Sequence, residues 1–364
     1  MKIGLLSYHK NYNYGWNLQC YALMTVLKSM GHDVVLIDKR KFHNPIPYAR
    51  IKYVLKKICG FYLCHRRHIN YEKEQERKGN KIEAFFEKYI TPRTEAITSK
   101  SGYKSLPHFD AFVVGSDQVW RKNLVNPLVD YFFSFVDYPA ILISYAASFG
   151  VDYAEYSETD INRCGHLIEK FKAISVRESS GVKLIKDNYK WHCNPVVMPD
   201  PTLLLSSKDY EKIINISTRK NIGLFCYVLD KTEDKEKAIS KILAAYSLET
   251  YGIYLDGEEV YPPVEEWLCS FRDAEFIFTD SFHGCVFALI FRKPFIAYGN
   301  AKRGMARFLS LLDTFEQSNR LIQSSTEIDT LDLYLLKSID SNKLDIIQSY
   351  FRAKAIEFIS TNLN

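Results

Sequence analysis

No stretch of about 18 uncharged apolar residues occurs in this sequence of 364 residues, so no helix of it is built to cross a bilayer. Glycine-rich phosphate loops are missing too. There is no G-x-G-x-x-G, which argues against a dinucleotide, and no G-x-x-x-x-G-K-[ST], which argues against a P-loop nucleotidase. No D-x-D stands at a strand end to hold the metal of a nucleotide sugar, and no Ser-His-Asp or Cys-His order is convincing. Internal repeats and low-complexity tracts are absent. The eight cysteines are scattered, several of them inside apolar runs, which reads as reduced, buried thiols in a cytoplasmic protein. Cys59-x4-Cys64-His65-x2-His68 mimics a metal site, but its spacing is off the common zinc patterns and no second half is nearby; no metal site is assigned. The opening residues, Met1 to Ser7, are too short for a signal peptide and read as a first core strand.

Acidic residues are absent from Lys39 to Tyr71, where nine cations stand. The net charge of the whole chain is only +5, so the remainder is net acidic. Apolar Ile51, Val54, Leu55, Phe61 and Leu63 interleave with these cations. That mixture suits peripheral contact with an anionic membrane, at the inner face for a cytoplasmic protein, or a solvated helical face over a local core. Nucleic acid is not expected, because no recognised binding motif accompanies the charge.

What is present is an alternation of apolar strands and helical stretches. Hydrophobic residues make up 47% of the chain, with 23 Phe and 25 Tyr, enough for two cores. Strands are expected at 3–7, 34–38, 111–114, 141–146 and 173–176. A helix is expected at 18–30, with Gly31 as its stop. A second series follows a polar break at 206–220: strands at 222–228, 251–254, 276–278 and 295–298, helices at 234–246 and 265–271, and an amphipathic helix at 344–359. The alternation is that of parallel βαβ units. It predicts an α/β protein of two Rossmann-like, doubly wound domains. The first spans 1–205 with a helical insertion at about 45–98, the second 216–330, and a C-terminal helix at 340–362 packs back.

The densest chemistry lies at 273–300. An apolar strand runs into Thr279-Asp280-Ser281, any of which can cap a following helix by accepting hydrogen bonds from its unpaired N–H groups. His283 then falls in the first helical turn. Gly284 beside it lets a ligand approach the backbone, and the helix N-terminus is an anion site. Gly115-Ser116-Asp117-Gln118 follows a buried strand, and Tyr14-Gly15-Trp16-Asn17 lies between the first strand and the first helix, the default ligand loop of a doubly wound domain. Arg177 follows another strand; its planar fork suits a carboxylate or phosphate, with Glu178 or Asp200 as alternative partners. Trp120 is a sugar platform or a core anchor.

These segments, with Ser144 to Gly150 and Pro199-Asp200-Pro201-Thr202, occur in an order that resembles the polysaccharide pyruvyl transferase family across residues 1 to about 310. The resemblance implies a GT-B-like fold and transfer of a pyruvyl group from phosphoenolpyruvate to a sugar of a cell-surface polysaccharide or its lipid-linked precursor, as a ketal. It implies His283 as acid/base, with Asp117 also catalytic. Arg177, Ser281, Gly284, Arg303 and Arg307 are expected on the donor side, and Tyr14, Gly15, Trp16, Asn17 and Gln118 on the acceptor side. No cofactor or metal is implied. Some members carry an Arg two residues before the His; here that position is Ser281, so an anion contact there must come from elsewhere or the donor differs. A GT-B glycosyltransferase using a nucleotide sugar, and a non-catalytic glycan-binding protein of an assembly complex, remain alternatives.

Overall fold

The computed structural model of the chain describes residues 1–8, 11–42, 62–214, 223–254, 260–299 and 305–363. They form two all-parallel sheets. The first runs β2-β1-β3-β4-β5-β6, from β1 (Lys2–Leu6), β2 (Asp33–Leu36), β3 (Ala111–Asp117), β4 (Ile141–Ala147), β5 (Ala173–Val176) and β6 (Val196–Val197). The second runs β11-β10-β9-β7-β8, from β7 (Leu224–Val228), β8 (Thr250–Tyr254), β9 (Phe276–Thr279), β10 (Phe295–Tyr298) and β11 (Leu321–Ile322). Strands such as β7 and β10 are buried along their whole length, which is why they read as unbroken apolar runs rather than alternating ones.

The helices that position the site are α1 (Tyr14–Ser29), α2 (Tyr62–Tyr89), α3 (Glu158–Ile168), α4 (Glu233–Tyr246), α5 (Val264–Asp273), α6 (Phe282–Ile290), α7 (Met305–Thr314) and α8 (Ser341–Leu363). Helix α1 begins four residues earlier than expected. Asn13 accepts a hydrogen bond from the Trp16 amide at 3.1 Å, so the expected ligand loop is the first turn of a capped helix. Gly31 ends α1 with φ +86°, the conformation that favours glycine after a helix. Strand β3 runs further than its apolar stretch and takes in Gly115-Ser116-Asp117, so these residues extend the strand rather than follow it. At Gly115 a side chain would stand 2.0 Å from the Tyr145 carbonyl oxygen.

The two sheets share a core. Tyr14, on α1, stacks on Trp267 of α5 at 5.1 Å and 8°, and meets Tyr227 edge-on at 6.1 Å. Each such pair adds about 0.5–1.5 kcal/mol beyond its buried area. Helix α8 crosses back: Gln348 donates to the carbonyls of Leu203 and Leu205 at 2.9 and 3.0 Å, while its own side-chain oxygen accepts from Arg292 at 2.6 Å.

Of the basic stretch, most lies outside the described residues, as do the side chains of Cys59, Cys64, His65 and His68. Lys39 is buried, 3.7 Å from Asp130, and Arg40 pairs with Asp38 at 2.7 Å; Lys39 therefore belongs to the core rather than to a surface patch. Cys20, Cys164, Cys193, Cys226, Cys269 and Cys285 are free thiols. Among the described residues no helix is long and apolar enough to cross a membrane.

Candidate active site

The carboxyl ends of β3 and of β7 and β9 face one another across a cleft of about 420 Å³. From the first sheet's side come Asn13, Asp117, Gln118 and Arg121. From the second come Asp230, Asp280, Ser281, His283 and Arg307.

Ser281 is the cap of α6. Its hydroxyl accepts the Gly284 amide at 3.3 Å, and its own amide donates to the Thr279 hydroxyl at 3.1 Å. This corrects two expectations at Gly284. Its N–H is taken by the cap, and its open side faces Thr279, whose hydroxyl would lie 2.1 Å from an added Cβ. The glycine serves helix–strand packing, not ligand approach. Asp280 is no cap either. It is fully buried and accepts from the amides of Leu229 and Asp230 and from Lys235 Nζ at 2.7, 3.2 and 2.6 Å, tying β7's end to β9's.

His283 is buried, with Nε2 lying 3.6 Å from Asp200 Oδ2. Among the described residues Nε2 has no hydrogen-bond partner. Asp200 is fixed from the other side by the amide and hydroxyl of Thr202 at 3.1 and 2.7 Å, and by Arg177 at 2.7 Å. Burial alone would raise the Asp200 carboxyl. His283, Arg177 and Thr202 together overcome it and hold the group well below the usual carboxylate range. The imidazole therefore lies beside an ionised carboxylate, within ion-pair range of it but beyond a hydrogen bond.

Arg177 is buried and surrounded by acids: Asp200 at 2.7 Å, Asp117 at 3.4 Å and Glu178 at 3.7 Å. Its fork is committed to protein carboxylates, and it sits behind Phe282, 4.9 Å from the ring centroid, rather than on the cleft wall. Arg307 does line the cleft. Burial, then the neighbouring Arg177, push its guanidinium down to about 10, against the pull of Asp117 and Glu178. Arg303 lies outside the described residues.

The expected acceptor residues divide. Gln118 lines the cleft. Tyr14, Trp16 and Asn17 do not: Tyr14 donates to the Pro262 carbonyl at 2.7 Å, Trp16 stacks on Phe86 at 5.7 Å, and Asn17 donates to the Asn13 carbonyl at 2.9 Å. Gly15 abuts the imidazole, where a Cβ would stand 1.9 Å from Nδ1. Trp120 is a core anchor, stacked on Phe132 at 5.1 Å. Arg121 and Asp200 are the site residues that motif reading passed over as functional. Among the described residues no group of three or more His, Cys, Asp or Glu could hold a metal ion.

The family model for polysaccharide pyruvyl transferase matches residues 13–302, which takes in α1, the Asp117 strand end, Arg177, Asp200 and His283. The chain belongs to this family. No match was found among curated proteins. Among solved structures, a putative UDP-N-acetylglucosamine 2-epimerase from Listeria monocytogenes superposes with a TM-score of 0.55 at 10% identity, over 96% of this chain and 91% of that one. The UDP-GlcNAc 2-epimerase from Neisseria meningitidis, solved with UDP-GlcNAc, gives 0.53 at 10% identity over 100% of both chains. At such identity the likeness concerns the fold alone. The fold of this family member is GT-B-like: two parallel sheets with the cleft between their carboxyl ends.

Proposed function

We propose that the chain transfers the pyruvyl group of phosphoenolpyruvate to two hydroxyls of one sugar, forming a cyclic ketal and releasing inorganic phosphate. The observation that carries the reading is His283 on the wall of a cleft that Arg307 also lines, with Asp200 3.6 Å behind its Nε2. The donor's methylene must gain a proton. His283 supplies it through Nδ1, with Nε2 turned to Asp200. The first sugar hydroxyl adds to the donor's C2 and gives up its proton. Asp117, on the opposite wall, stands where it can take it. The C2–O bond to phosphate then breaks with its electron pair on the phosphate oxygen, and the second hydroxyl adds to C2 to close the ring, returning a proton to His283, while the proton held by Asp117 leaves with the phosphate. Arg307 holds the donor carboxylate, which stays through every step. Gln118 and Asn13 face the sugar, a unit of a cell-surface polysaccharide or its lipid-linked precursor. The scheme uses no metal or cofactor.

Calorimetry of the full chain against phosphoenolpyruvate and a panel of nucleotide sugars tests the donor. Phosphoenolpyruvate should bind and the nucleotide sugars should not. Binding of a nucleotide sugar with none of phosphoenolpyruvate would replace this reading by glycosyl transfer, and binding of neither by a glycan-binding role.

A further inference from the structure

We propose that Arg121 holds the phosphate of the donor, and so is the residue that selects a donor with a second anionic group. The inference rests on the phosphoenolpyruvate reading above. That donor carries two anions, and one cation on the wall accounts for one of them. Arg177 is taken up by three protein carboxylates. Arg121 lines the same cleft as Arg307, from the opposite side, four residues beyond the end of β3.

The way Arg121 is held fits a waiting clamp. Its Nη1 donates to Gln118 Oε1 at 2.8 Å, and its Nε lies 3.8 Å from Glu155 Oε1, beyond hydrogen-bond distance. Glu155 is itself engaged by Asn123 at 2.9 Å. Gln118 in turn rests on Gly150, where a Cβ would stand 2.2 Å from its Oε1. The guanidinium is thus oriented by a hydrogen bond to Gln118 on one edge and an ion pair with Glu155 on another. Among the described residues nothing accepts a hydrogen bond from Nε, which is buried, or from Nη2. With Nη1 on Gln118 and the buried Nε edge facing Glu155, Nη2 is the donor left for a phosphate oxygen.

Charge points the same way. Two guanidiniums on one cleft repel each other, most strongly where water is excluded, and an anion between them turns that repulsion into attraction. Two acids on the wall do not fill the role: Asp280 is bound by Lys235 at 2.6 Å and Asp117 faces Arg177. Depth separates the two cations. Arg307 is buried, whereas Arg121 is partly exposed. The carboxylate stays with the product and the phosphate must depart, so the outer cation takes the leaving group.

The test measures inhibition of the full chain by inorganic phosphate and, separately, by pyruvate, in the wild type, Arg121→Gln and Arg121→Lys. The glutamine variant should weaken phosphate inhibition by at least about tenfold, as expected for a lost charge-assisted hydrogen bond, and leave pyruvate inhibition unchanged. Donor KM should rise more than kcat falls. The lysine variant, which keeps a partner for Glu155, should lie between, and it decides the matter if the glutamine variant is unstable. Unchanged phosphate inhibition in both variants would make Arg121 structural, and a loss confined to pyruvate would assign it to the carboxylate. Failure of the underlying reading shows differently: the wild type itself would neither bind nor turn over phosphoenolpyruvate.

Discussion

The imidazole of His283 occupies the space that a side chain at Gly15 would fill: a Cβ there would stand 1.9 Å from Nδ1. The two residues come from different sheets' helices and are 268 positions apart in sequence. Gly15 has no left-handed backbone requirement, so its smallness matters for what it admits. Gly15→Ala should leave α1 intact or firmer, since alanine gains up to about 1 kcal/mol over glycine in a helix. It should nonetheless displace the ring and lower turnover by about 10²–10⁴, the range for a lost general acid. Thermal melting together with steady-state rates checks this; wild-type turnover would show that the ring can work from elsewhere.

His283→Gln should lower turnover by a similar factor of about 10²–10⁴ while leaving the melting temperature near that of the wild type. Phosphoenolpyruvate should still bind in calorimetry, because the anion holders remain. A variant within a few-fold of wild-type turnover would remove His283 from the proton transfers.

Helix α6 was legible in the sequence because its capping residue, its apolar body and Pro294 beyond its end are all local. So were β5 and β10, whose observed bounds match the expected ones residue for residue. The errors share a cause. Tyr14 to Asn17 reads as a ligand loop because it follows the first strand, where a doubly wound domain binds its ligand; Asn13 caps a helix there, and Tyr14 completes a core shared with α5. Gly284 looked open because nothing nearby in sequence announces Thr279 as its neighbour across the strand–helix turn. For Arg177 the alternative partners Glu178 and Asp200 are the ones the fold supplies, and Asp117, 60 residues away, joins them. Arg121 was hidden behind Trp120, a residue that draws the eye but serves the core. Contacts made by folding, rather than composition, decide each case.

Arg177→Gln should therefore act first on stability. It would leave Asp117, Glu178 and Asp200 without their shared cation, and breaking a buried pair from one side costs about 3–5 kcal/mol. Urea unfolding measures the loss. A fully stable variant with a raised donor KM would return Arg177 to the donor site.

Asp200 sets a pH dependence with a definite sign. Its folded carboxyl is held below the unfolded value of about 3.9, so its contribution to stability is complete above that value. The contribution is lost as pH falls toward the folded value. Unfolding free energies between pH 7 and pH 3 should show the wild type weakening at the acid end. Asp200→Asn should start lower and lose less over the same span, with reduced turnover at every pH. An equally steep acid loss in the variant would place the titrating group elsewhere.

The turn that carries Asp200 is braced by Gln348, which reaches the Leu203 carbonyl from 145 residues further along the chain. A ribosome has long since released the first sheet when that glutamine emerges. Every residue of the first sheet and of α6 is thus synthesised before the glutamine that braces the turn beneath the histidine. Competence arrives late in translation, with α8, and a chain interrupted before Ser341 would display the signature motifs without the brace that steadies them.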